Sequence, residues 1–166
     1  MWSALILLAL TVQAEPAMAV PLLDDPKGFH DITWGAALKD RSDLEATKKG
    51  SPIAEYQLKE GTPSFAGTPV DSIRLLSVNE QFARVTIRYQ GEQTHKQLML
   101  YLEKRFGPIE RIPGQMMRGL NQQYTWRGIE TEINLTYQAN TERGFIFIDS
   151  RSLAPRFNDF ITDSSE

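Results

Sequence analysis

Cysteine is absent from the 166 residues. That excludes disulfides, thiolate metal sites, a Cys nucleophile and the lipidated Cys of a bacterial lipoprotein. Histidine is scarce: His30 and His95 are the only two, far apart and outside metal spacings such as H-E-x-x-H. Positive charge is not in excess. The net charge of −3 and pI of about 5.5 give no basic field that would point to nucleic acid. No glycine-rich phosphate loop follows a strand and opens a helix, so nucleotide binding lacks support. Gly61 to Gly67 brackets Ser64 with the letters of a nucleophile elbow at the wrong spacing, and Pro63 suits a loop instead. The residues therefore name no catalytic set, no cofactor and no metal site.

What is present is enough apolar material for one domain: 41% hydrophobic and 10% aromatic residues support a real core. Trp2 to Val12 is an apolar run of signal-peptide length, too short to cross a bilayer as a helix. Small-x-small sites follow at Val12-Gln13-Ala14 and Ala17-Met18-Ala19. Cleavage after Ala19 is the preferred expectation, because that site lies just before the polar Asp-Asp-Pro-Lys-Gly turn. No Lys or Arg precedes the run, which departs from the usual pattern. The alternative is an apolar arm packed on the domain.

The clearest element is Thr94 to Pro108, which predicts a helix. Thr94 with Gln97 forms a capping-box pattern. Leu98, Leu102 and Phe106 fall four apart, with His95, Met99 and Tyr101 widening the apolar stripe. Gly107 and Pro108 end it. Upstream, Phe29 to Gly35 alternates as a short strand, and Ala36 to Leu44 predicts a helical turn or two anchored by Leu38 and Leu44. Residues 48 to 72 hold three prolines and three glycines, read as loops around a strand at Ile53 to Leu58. Two strands around Asn79-Glu80-Gln81 predict a hairpin, with Val85, Ile87 and Tyr89 on one face and Arg84, Thr86 and Arg88 on the other. After the helix come a loop at Ile109 to Leu120 and three strands, QYTW, TEINLTY and FIFI. The last is apolar on both faces, which predicts a central strand covered on both sides.

The motifs FHDITWG, L-x-x-x-L-x-x-x-F-G-P and YTW…INLTY…FIFIDS together resemble a group of uncharacterised exported bacterial proteins opening with F-x-x-I-x-W-G. The likeness covers most of residues 29 to 153. It implies an envelope location and a small α+β domain, and it implies no activity and no catalytic residue. The helix-then-meander order is also similar, at fold level, to small periplasmic inhibitor and outer-membrane-assembly modules.

Two features point to binding. Arg84 and Arg88 share a strand face, with Arg127 on a neighbouring turn, and together they suit an anionic ligand or partner. Cross-strand pairing with groups such as Glu132, or plain solvation, is the commoner fate of such arginines. Met116, Met117, Arg118 and Leu120 make an unusually apolar connection that suits an adaptable contact, or alternatively a plug on the sheet edge. Asp24, Asp25, Asp40 and Asp43 read as solvated carboxylates, not as an acid–base pair. His95 reads as an ordinary first-turn helix residue. Asn134-Leu-Thr136 matches a glycosylation sequon inside a strand.

The sequence thus predicts an α+β fold: one antiparallel sheet of five to seven strands with the Thr94–Phe106 helix on one face. The expected layout is a signal peptide at 1–19, a polar lead-in at 20–28, one domain at 29–153 and a polar tail at 154–166. The expected function is a non-catalytic periplasmic or secreted module binding an envelope protein or small ligand, without nucleic acid, cofactor or a stable transmembrane segment after cleavage. The alternatives are an envelope hydrolase using a carboxylate site the sequence does not locate, or an outer-membrane assembly factor.

Overall fold

A computed structural model describes residues 20–50, 52–109 and 121–157. In chain order the strands are β1 (Val20–Pro21), β2 (Gly28–Phe29), β3 (Ile32–Thr33), β4 (Leu44–Lys48), β5 (Ile53–Leu58), β6 (Ser64–Phe65), β7 (Thr68–Pro69), β8 (Ser72–Val78), β9 (Gln81–Gln90), β10 (Asn121–Arg127), β11 (Thr131–Gln138) and β12 (Arg143–Ser150); helix α1 (Glu92–Phe106) lies between β9 and β10.

The hairpin of β8 and β9 shows how local chemistry sets the register. Asn79 and Glu80 both take positive φ, 49° and 66°, the turn geometry whose twist matches that of paired strands. Ile73 then faces Ile87 and Leu75 faces Val85, all four buried on one side. The main sheet runs β1-β10-β11-β12-β9-β8-β5-β4. Seven of these strands are antiparallel neighbours, and β1 adds two residues in parallel against β10 at one edge. The expected α+β architecture is present, and β12 is central as its composition predicts.

Helix α1 packs on one face of the sheet through Leu98, Leu102 and Phe106, with His95 and Met99 also buried. Burying each large apolar side chain contributes roughly 1.5–3 kcal/mol. The helix opens two residues before Thr94: Gly91, at φ 98°, is the cap residue, and no side chain caps the first turn. The chain must swing sharply out of β9 here, and glycine allows that where Thr94 would not. At the other end the Gly107 N–H donates to the Glu103 carbonyl, while Trp126 Nε1 donates to the Gly107 carbonyl at 2.8 Å.

Two expected elements differ. Phe29 to Gly35 is not one strand but the β2–β3 hairpin, turning at His30 with φ 52°. Straight alternation would place Phe29 and Ile32 on opposite faces, whereas the hairpin buries both. Ala36 to Leu44 forms turns and a bridge from Ala37 to Gln81, with no helix; Leu38 and Leu44 are nonetheless buried.

The boundaries shift as well. The lead-in is stitched to the domain: the Leu22 N–H donates to the Arg127 carbonyl and the Leu23 N–H to the Phe106 carbonyl. At the other end Leu153, Ala154 and Phe157 form a second apolar cluster with Val78 and Ala83, so the fold extends four residues past 153. Residues 1–19, with the predicted signal peptide, and residues 158–166 of the predicted tail lie outside the described residues. Among the described residues no helix is long and apolar enough to cross a membrane.

Candidate functional site

The face of the sheet opposite α1 is where the structure collects the binding candidates. Because side chains alternate across strands, the register lines them up in four rows. The first row is Arg127, Glu132, Asp149 and Arg84. Arg127 Nε donates to Glu132 at 2.5 Å, and Arg84 grips Asp149 through Nε at 2.6 Å and Nη2 at 3.0 Å. This row is charge-balanced. Asp149 is buried and Arg84 partly so, and the Arg84 guanidinium lies 5.4 Å from the Phe147 ring centre and 5.0 Å from that of Phe157. Burial raises the Asp149 carboxyl, and the neighbouring Glu132 adds to that, against the lowering pull of Arg84. Glu132, half-buried, is held below the usual value by Asn134 and Arg127, which outweigh its desolvation.

The remaining rows differ in character. The second runs Thr125, Asn134, Phe147, Thr86 and Arg74; the third runs Gln123, Thr136, Phe145, Arg88 and Ser72; the fourth holds Asn121, Gln138, Arg143 and Gln90. Phe145 and Phe147 stand half-buried in the centre, uncovered by any second layer among the described residues. Among the described residues FIFI is covered on one face, where Ile146 and Ile148 pack under α1. Arg88 is exposed with its guanidinium 5.9 Å from the Phe145 ring centre. Arg74 donates to Gln57, whose own amide donates to Glu45. Across β10, β11, β12, β9 and β8 these three rows contain Arg74, Arg88 and Arg143 and no carboxylate; the Arg74 row meets one, Glu45, only beyond Gln57 at the β4 edge.

The sequence candidates separate accordingly. Arg84 and Arg88 do share the face, but Arg84 is committed to Asp149. Arg127 lies at the far end of the charged row and is paired with Glu132, the pairing that the sequence offered as the alternative. Met116, Met117, Arg118 and Leu120 lie outside the described residues. Phe145, Phe147, Arg74 and Arg143 were missed. Their signal was available: Arg143, Phe145 and Phe147 recur at every second residue, which places them on one face of a strand.

Of the carboxylates read as solvated, Asp24, Asp25 and Asp43 also make structural contacts, while Asp24, Asp40 and Asp43 are exposed as expected. Asp24 pairs with Arg105 at 3.0 Å. Asp25 accepts three backbone N–H groups, from Ile129 at 2.6 Å, Glu130 at 2.9 Å and Thr131 at 3.0 Å, and so fixes the β10–β11 turn. Thr131 then donates to the Pro26 carbonyl and accepts from Trp34 Nε1 at 2.8 Å. Asp43 and Asp31 share Arg41, which holds both below the ordinary carboxylate range. His95 is buried and stacked on Tyr137, centroids 3.9 Å apart. Among the described residues no three His, Asp or Glu side chains converge as a metal site requires. No family model, curated protein or solved structure matches the chain.

Proposed function

We propose that the protein is an exported, non-catalytic binding module of the cell envelope whose open sheet face engages an acidic protein partner. The observation that carries this reading is the pair Phe145 and Phe147, half-buried at the centre of the face with no second layer over them among the described residues, and bordered by Arg74, Arg88 and Arg143 with no carboxylate beside them on β10, β11, β12, β9 and β8. A face meant only for water has no need of central phenyl rings, and one meant for a second core layer has no need of three arginines. Together they suit a partner that supplies an apolar anchor for the rings and carboxylates for the rim. The signal-like N-terminus and the resemblance to exported bacterial proteins support the envelope setting.

The test uses a fluorescent acidic peptide, Glu-rich with one central Leu, titrated into wild type and the Arg88→Glu/Arg143→Glu variant. The expected outcome is binding by wild type that weakens as salt rises through roughly 0.1–1 M, and no binding by the variant. Equal binding by both would assign these arginines to ordinary surface. Arg84→Glu is unsuited to this purpose, because it strands the buried Asp149.

A further inference from the structure

Phe157 lies at the border of the open face. It is buried in a cluster packed against Leu76, which stands opposite Arg84 on that face. The Arg84 guanidinium lies 5.0 Å from the Phe157 ring centre and 5.4 Å from that of Phe147. The chain beyond Phe157 therefore sets out one row away from Phe147 and Thr86, which face each other in the register.

The residues that follow, 158–166, read Asn-Asp-Phe-Ile-Thr-Asp-Ser-Ser-Glu. They carry three carboxylates, no Lys or Arg, and one apolar pair, Phe160 and Ile161. An apolar anchor flanked by carboxylates is the chemistry that Phe147 and the arginines around it call for. Spacing agrees with composition. Arg156 and Phe157 already have helical geometry, and Phe157, Phe160 and Ile161 fall at i, i+3 and i+4, one side of a helix. Reach agrees as well. Arg88 is four residues past Arg84 on β9, roughly 13 Å along the strand. Asp163 is six residues past Phe157, roughly 9 Å as helix or 20 Å extended, which brackets that distance. Arg88 itself is exposed and makes no ion pair among the described residues.

We infer that residues 158–166 are an intramolecular occupant of the open face, with Phe160 and Ile161 covering Phe147 and Asp163 pairing with Arg88. This rests on the reading of that face as a site for an acidic, apolar-anchored partner, and it supplies the regulation of the same site. A tethered segment acts at roughly millimolar effective concentration, so even weak docking lowers the affinity for a partner that must displace it. Phe145 and Arg143, farther from Phe157, are where an external partner gains its first hold.

The chain lacks cysteine, so Ser164→Cys gives the full-length protein a single attachment point for a nitroxide. The expected result is that the nitroxide broadens the amide NMR signals of Thr86, Arg88 and Phe147 before those of Leu100 and Lys104 on α1. Adding Phe160→Ser/Ile161→Ser abolishes that order and, in the protein without the label, tightens binding of the Glu-rich peptide several-fold. Equal broadening on both sides of the molecule overturns the inference, as does a peptide affinity that the double serine variant leaves unchanged. Broadening transferred to an isotope-labelled, nitroxide-free chain mixed into the sample also overturns it, by making a second copy the occupant. A peptide that binds neither protein sinks the partner reading alone, since the nitroxide pattern reports the docking without any partner.

Discussion

His95 shows what a single residue carries once it is placed. Its Nδ1 is 2.8 Å from the Tyr89 hydroxyl and its Nε2 is 3.3 Å from the Gln122 side-chain oxygen. An amide oxygen only accepts, so Nε2 carries the proton and Nδ1 accepts from Tyr89. That pattern selects the neutral ring, and burial lowers its proton affinity further, against smaller raising effects of Gln122 and Glu92. The unfolded chain, with His95 near the ordinary 6.5, then binds the proton more readily than the folded one. Stability is therefore full above about pH 6.5 and falls as pH drops below it, ahead of the carboxylates that titrate below about 5. Urea melts should show the midpoint falling across that window in wild type, and a flatter profile in His95→Gln. Gly144 is equally specific. It lies opposite Tyr89, and a Cβ there would fall inside the phenol ring. Gly144→Ala should cost about 1–3 kcal/mol in a denaturant melt, the usual range for overpacking. Neither role was legible beforehand, because both depend on a cross-strand partner more than 50 residues away in the case of Gly144, and on ring stacking in the case of His95.

Among the elements, α1 was the most legible and its start the least. Leu98, Leu102 and Phe106 are buried as their spacing of four requires, since periodicity reports directly on which face meets the sheet. The capping-box letters at Thr94 and Gln97 were overridden by Gly91, because the exit from β9 needs a positive φ that no local pattern reveals. Leu102→Ala should cost about 2–5 kcal/mol through lost burial and the cavity left behind. Lys104→Ala, on the exposed side, should change stability by no more than about 0.5 kcal/mol. Equal losses in paired denaturant melts would mean that the stripe does not bear on the core. The strands of the meander were readable for the same reason as the helix, each alternating over seven or eight residues. The β2–β3 hairpin was not, because its four paired residues are too few for a period and its turn rests on His30 at positive φ.

At the scale of the whole molecule, the sheet has one face buried under α1 and one that is polar, aromatic and cationic together. The sequence announced the first face plainly. It concealed the second, because a strand reading Phe-Ile-Phe-Ile looks doubly covered, and only the register shows that Phe145 and Phe147 stand among arginines and threonines. Arg84, singled out with Arg88 for binding, instead closes an ion pair with Asp149 that links the sheet to the segment ending at Phe157. Binding on the open face is the central claim, and site-specific photo-crosslinking in the native envelope tests it most directly. A benzophenone side chain is placed at position 145, on the open face, and separately at position 100, where Leu100 is 68% exposed on the far side of α1. The account predicts a discrete adduct with an acidic protein from position 145, none from position 100, and loss of the adduct when Arg88→Glu and Arg143→Glu are added. The same adducts from both positions, or an adduct at 145 that survives the double charge reversal, would contradict it.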